Sequence, residues 1–180
     1  MIVAVSGRLV DAEGAVPQRF PFGNVGRVAG EIESTLRAPR ASAVVCSAAC
    51  GADLLAADAA ARLDIRVRIV LPFAADRFRD TSVTSRGGDW APVFDRVLAR
   101  AAAAGDLVVL AASDDYAGYE TAAREILNQA DALAAAQAGM RRLALAVWEG
   151  VSRPERDLTG WFLSEALRRP GWTTTQILTI

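Results

Sequence analysis

Residues 44–53 read Val44-Val45-Cys46-Ser47-Ala48-Ala49-Cys50-Gly51-Ala52-Asp53. An apolar run, Ala43 to Cys46, passes through small residues to Gly51 and Asp53 and then into an Ala/Leu-rich pattern of helical period. A buried strand that turns tightly into a helix gathers backbone N–H groups and the positive helix end at one spot. Such a spot suits an anion such as a nucleotide phosphate, and small side chains let a ligand approach the backbone closely. The segment therefore points to a strand–turn–helix unit and to a class of ligand, and leaves any reaction open.

The same alternation continues on both sides. Strands are expected over Ile2–Ser6, Ala43–Cys46, Val67–Leu71, Leu107–Ala112, Leu143–Trp148 and Thr173–Leu178. Helices are expected over Asn24–Leu36, Ala52–Leu63, Asp89–Ala103, Tyr119–Gln137 and Leu158–Leu167. Residues 89–103 are the most plainly amphipathic, with Trp90, Val93, Phe94, Val97, Leu98 and Ala101 at helical spacing. The central strands are unbroken apolar runs, as in a parallel sheet covered on both faces. The expected fold is α/β: a Rossmann-like, doubly wound, mainly parallel sheet of about six strands with helices on both faces. Residues 1–180 read as a single domain. Leu9–Gly23 and Phe73–Gly88 read as long loops, a class that is often functional.

Composition narrows the chemistry. The chain of 180 residues is 52% hydrophobic, with a formal net charge of -1. No global field draws it to nucleic acid or to anionic lipid, and neither is expected as a partner. There is no histidine, and all 20 basic residues are arginine. Histidine-dependent serine or cysteine hydrolases, His-ligated metal sites, a P-loop lysine and a Schiff-base lysine are thereby excluded. No metal and no resident cofactor is expected. An arginine-only basic set also fits a GC-rich coding sequence. The N-terminal Met1-Ile2-Val3-Ala4-Val5 reads as a strand rather than a signal peptide, and no apolar run reaches a membrane span. The expected compartment is the cytoplasm. Cys46 and Cys50 do not have the spacing of a redox or zinc pair and read as free thiols.

In a doubly wound sheet, ligands sit at the carboxyl ends of the strands, where the strand order reverses. Five segments are expected there: Ser6-Gly7-Arg8, Ser47–Asp53, Pro72–Ser82, Ser113–Glu120 and Trp148-Glu149-Gly150. Arg8 either binds a phosphate through two parallel N–H bonds or is a surface arginine at a turn. Ser6, Gly7, Ser47 and Gly51 would form the binding loops. Asp53 either complements the helix dipole or binds a ribose hydroxyl or a base edge. Arg79 and Ser82 suit an anionic ligand under a mobile lid, or belong to a solvated loop. Asp114, Asp115, Tyr116, Gly118, Tyr119 and Glu120 form the most enzyme-like cluster. Glu120, with Asp114 and Tyr116, has the placement of a nucleophile or base on an anomeric carbon; helix capping explains the same acids.

The run Ser47-Ala48-Ala49-Cys50-Gly51-Ala52-Asp53-Leu54-Leu55, with Val70-Leu71-Pro72-Phe73, Phe78, Ser82-Val83, Tyr116-x-x-Tyr119 and Val147-Trp148-Glu149-Gly150, resembles the SLOG superfamily. These are Rossmann-like domains related to the DNA-processing protein DprA and to the LOG cytokinin-activating enzymes. The likeness is to the small members found alone or beside bacterial signalling modules. It implies a nucleotide or nucleotide-derived ligand bound by loops that include Gly7 and Gly51. The phosphoribohydrolase members carry a Pro-Gly-Gly-x-Gly-Thr-x-x-Glu motif, which this chain lacks. A second, fainter likeness, through Asp115 to Glu120, is to nucleoside deoxyribosyltransferases. Three readings are therefore carried forward. They are a nucleotide-sensing domain, an N-glycosidic hydrolase or transferase using Glu120, and an oligomerising scaffold (a homo-oligomer) with a vestigial cleft and Trp161, Phe162 and Trp172 at its interface.

Overall fold

The computed structural model describes residues 1–38, 40–137, 139–153 and 155–180. Six strands form one sheet: β1 (Ile2–Gly7), β2 (Ala43–Cys46), β3 (Arg66–Leu71), β4 (Leu107–Val109), β5 (Arg142–Trp148) and β6 (Trp172–Leu178). Their order is β4-β3-β2-β1-β5-β6, and every pairing is parallel. The α-helices are α1 (Val25–Arg37), α2 (Ala52–Arg62), α3 (Ala75–Ser82), α4 (Ala91–Ala103), α5 (Tyr116–Ala135) and α6 (Leu158–Arg168). The chain runs outward from β1 through β4 on one side, then returns along α5 to β5 on the other. The strand order thus reverses between β1 and β5, and a crevice opens at their carboxyl ends.

Alternate residues of each central strand face opposite layers. Val3, Val5, Val44, Cys46, Ile69 and Leu145 pack under Val28, Ile32 and Leu36 of α1, the alanines of α2, and Phe94 and Val97 of α4. Ile2, Ala4, Val45, Val70 and Ala144 pack under Ala123, Ile126, Leu127 and Ala130 of α5 and Phe162 of α6. Burial on both faces explains why these strands read as continuous apolar runs. The alanines of α2 let that helix approach β1 so closely that a Cβ on Gly7 would overlap the Ala52 methyl and the Val147 carbonyl. Phe162 and Trp172 are buried in the α5/α6 layer, while Trp161 is half-buried beneath the guanidinium of Arg124, 5.2 Å from its ring.

Three departures from the sequence reading span three residues or more. The Phe73–Gly88 stretch is not a loop throughout, because Ala75–Ser82 forms α3. Its charged face (Asp76, Arg77, Arg79, Asp80) masks a single buried line, Phe78 and Ser82, one helical turn apart. Helix α5 starts at Tyr116, three residues early, because Asp115 caps it by accepting the Gly118 N–H at 3.1 Å. Strand β4 stops at Val109, although the Leu110 and Ala112 N–H groups still donate to Leu71 and Pro72. Among the described residues no helix is long and apolar enough to cross a membrane.

Candidate functional site

The crevice between β1 and β5 is a cleft of about 370 Å³. Its walls are largely apolar: Val5, Leu9, Phe78, Ala122, Ala123, Ile126 and Leu158. Its polar groups come from Ser6 and Gly7 at the end of β1, Ser47 and Asp53 around the β2–α2 turn, and Thr81 and Ser82 on α3. Tyr116 and Tyr119 of α5 complete the set with Thr159 of α6. Arg153 and Arg156 reach it from the segment after β5.

Asp53 is the central feature. It lies in the first turn of α2, is only 8% exposed, and accepts one hydrogen bond, from the Ala49 N–H at 3.3 Å. No arginine pairs with it among the described residues. Burial pushes its pKa up to about 7, against the lowering effect of the Ala49 N–H. In the same cleft the Ser47 hydroxyl oxygen is buried with no hydrogen-bond partner among the described residues. A buried polar group left unpaired costs roughly 1–3 kcal/mol, which a ligand that supplies the partner recovers. Across the cleft the hydroxyls of Ser82 and Tyr119 lie 3.1 Å apart, with the Thr81 hydroxyl 3.3 Å from each. Phe73 meets the Tyr119 ring edge-on at 5.7 Å and holds that hydroxyl group in place.

Arg8 is placed differently from the phosphate fork considered for it. Its guanidinium is buried, donating to Glu149 at 2.5 and 3.1 Å and to Asp157 at 2.8 and 2.7 Å. The fork ties β1 to the end of β5 and to the N-terminus of α6. Burial works against its charge, but the two carboxylates outweigh that and raise its pKa. Arg8 still lines the cleft, whereas Gly51 lies outside it. At φ +108° it lets the chain after β1 press onto the start of α2, where a Cβ would stand 2.6 Å from the Arg8 carbonyl oxygen. Gly7 serves the same close approach from the strand side.

The remaining candidates scatter. Arg79 pairs with Asp95 at 3.2 Å on the outer surface of α3. Asp114 pairs with Arg77 at 2.5 Å and faces solvent. Gly118 is buried in the first turn of α5. Glu120 pairs with Arg124 at 3.0 Å and lines a separate side groove with Asp115, Tyr116, Ala117 and Arg156. Tyr116 borders both that groove and the cleft, and Arg156 lies 5.3 Å over its ring. Cys46 and Cys50 are free and buried; burial raises both thiols, Cys50 to about 11, so neither is a thiolate near neutral pH. Among the described residues no cluster of His, Cys, Asp or Glu is arranged to hold a metal ion.

Sequence reasoning missed Arg153 and Arg156 as site residues. The signal was present: Gly150 to Asp157 follows the β5 carboxyl end directly, so its arginines fall at the same edge as Gly7. No family model and no curated protein matches the chain.

Proposed function

We propose that the protein binds a nucleotide or nucleotide derivative at the carboxyl edge of its sheet, and that it does so as a sensing domain rather than an enzyme. One observation carries this reading. The cleft at the strand-order reversal combines apolar walls, the buried Asp53 carboxyl and the exposed guanidinium groups of Arg153 and Arg156, none of which is ion-paired among the described residues. The walls suit a base, and Asp53 with Ser47 suits sugar hydroxyls or a base edge. Arg153 and Arg156 suit phosphate. The resemblance to the SLOG superfamily supports the same ligand class. Membership of that superfamily, with its bacterial signalling relatives, is part of the proposal, as is a cytoplasmic setting.

The glycosidic alternative has weaker support, because Glu120 faces the side groove and is already bound to Arg124. A thermal-shift series with purine and pyrimidine nucleotides, cyclic dinucleotides and NAD derivatives tests the reading. At least one ligand is expected to raise the melting temperature by mass action, and Asp53→Ala is expected to weaken the shift. A flat response to all of them would overturn the proposal.

A further inference from the structure

The cleft does not end at Arg153. A second groove of about 350 Å³ shares Arg8, Leu9 and Arg153 with it and continues under the segment from Val10 to Arg19. Arg19 and Arg86 line its far part.

The charges there are unevenly committed. Arg8 is saturated by Glu149 and Asp157. The Asp11 carboxylate is engaged by the Arg19 and Phe20 N–H groups at 2.8 and 3.0 Å. Arg86 and Arg153 form no ion pair among the described residues; Arg86 donates only to the Ser85 carbonyl, at 3.3 Å. Most arginines of the chain, by contrast, are paired. Arg19 adds an independent sign of an absent partner. Its Nη1 is buried with no hydrogen-bond acceptor among the described residues; Glu149, its ion-pair partner, stands 3.7 Å away, beyond hydrogen-bond reach. A buried guanidinium N–H without an acceptor is costly, and an anionic oxygen in the groove would satisfy it.

We propose that this groove is a second anion subsite, which takes the distal phosphates of a nucleoside di- or triphosphate whose nucleoside lies in the main cleft. Arg153, common to both cavities, stands at the junction between the nucleoside-bearing phosphate and the outer ones. Arg19 and Arg86 then receive the outer phosphates. The inference rests on the nucleotide reading and narrows it to ligands with two or more linked phosphates.

Calorimetric titration of the full chain with the nucleoside, mono-, di- and triphosphate of each common base, and with inorganic tripolyphosphate, tests it. For the base that binds, the di- and triphosphates are expected to bind at least about ten-fold tighter than the monophosphate, which is the scale of one charged hydrogen bond. Tripolyphosphate should compete with the triphosphate. Arg86→Gln should bring the di- and triphosphates down to the monophosphate's affinity and leave the monophosphate unchanged. Arg141→Gln, the same charge change on an exposed residue at the amino end of β5, should preserve the ten-fold ratio. Equal affinity for mono-, di- and triphosphate would overturn the subsite and leave the nucleotide reading standing. Tripolyphosphate binding with no gain from any nucleoside would overturn the nucleotide reading, and with it the ligand assigned here. No binding by any of these probes would overturn both.

Discussion

Two buried acids sit at helix N-termini on the same edge of the sheet, and their surroundings are opposite. Asp157 caps α6. Its carboxylate accepts the N–H groups of Thr159, Gly160 and Arg153 and two bonds from Arg8. Burial alone would raise its pKa, but Arg8 and the helix N–H groups outweigh burial and hold it below the usual carboxylate range. Asp53 opens α2 with one long bond from Ala49 and no cation, and burial wins. A saturated acid is architecture: every lone pair is spent holding strands and helices together. An undersupplied acid beside a cleft is available to something that is not part of the chain. The contrast separates the part of this edge that builds the crevice from the part that can recognise a ligand.

The largest expected effect strikes the saturated side. Arg8→Leu removes the fork joining β1, β5 and α6 and leaves Glu149 and Asp157 buried beside each other. Breaking one partner of a buried ion pair costs about 3–5 kcal/mol. Chemical denaturation should show that loss, with a fall in Tm of the order of 10 °C for a domain of this size. A loss below about 1 kcal/mol would mean that this cluster does not brace the edge. Gly7→Ala comes next. Its Cβ would overlap the Val147 carbonyl and Ala52, and relieving that overlap moves α2 away from β1. A cost of about 3 kcal/mol is expected, the upper end for overpacking because one neighbour is backbone. Unchanged stability would show that α2 can shift without loss.

The sequence made the scaffold legible and concealed the contrast. Unbroken apolar strands such as Leu143–Trp148 announce a parallel sheet, and the central helices follow from period alone. Helix α3 was hidden because only Phe78 and Ser82 of its residues are buried, too few to show a period. The roles of Arg8 and Asp53 were illegible for a different reason. Arg8 finds Glu149 and Asp157 at sequence separations of 141 and 149 residues, so its saturation is a property of the closed fold. Asp53 looks like any acid in a first helical turn. What sets it apart, burial with no cation among the described residues, exists only once the chain has folded around the β2–α2 turn.

A medium-sized effect sharpens the Asp53 half of the comparison. An unfolded aspartate titrates near ~3.9, whereas folded Asp53 holds its proton to about pH 7. Between those values the folded state binds more protons than the unfolded one, so stability falls as pH rises. The stabilising contribution is complete below about pH 4 and has gone above about pH 7. With no histidine in the chain, few other groups titrate in the upper part of that window. From pH 5 to pH 7 the wild type should lose about 2–3 kcal/mol, at 1.36 kcal/mol per unit. Asp53→Asn, which cannot ionise, should flatten that slope. A variant with the wild-type slope would assign the titration elsewhere. Bound ligand that donates to the carboxylate should also flatten the slope by favouring the ionised form.

The smallest expected effect falls on Glu120. Its pairing with Arg124 is an exposed contact one helical turn apart, so Glu120→Gln should cost about 0.3–0.5 kcal/mol. A glycosidic nucleophile must meet the anomeric carbon, with its acid partner across the bond. Glu120 instead lies in the side groove on the outer side of Tyr116, whereas the carboxyl that reaches the cleft is Asp53. Wild type and Glu120→Gln, incubated with nucleoside monophosphates, should release equally little free base and bind nucleotide equally well. Base released by the wild type and lost in the variant would place chemistry in the side groove. The division drawn between Asp157 and Asp53 would then miss the group that matters most, because Glu120 is an acid already holding an arginine.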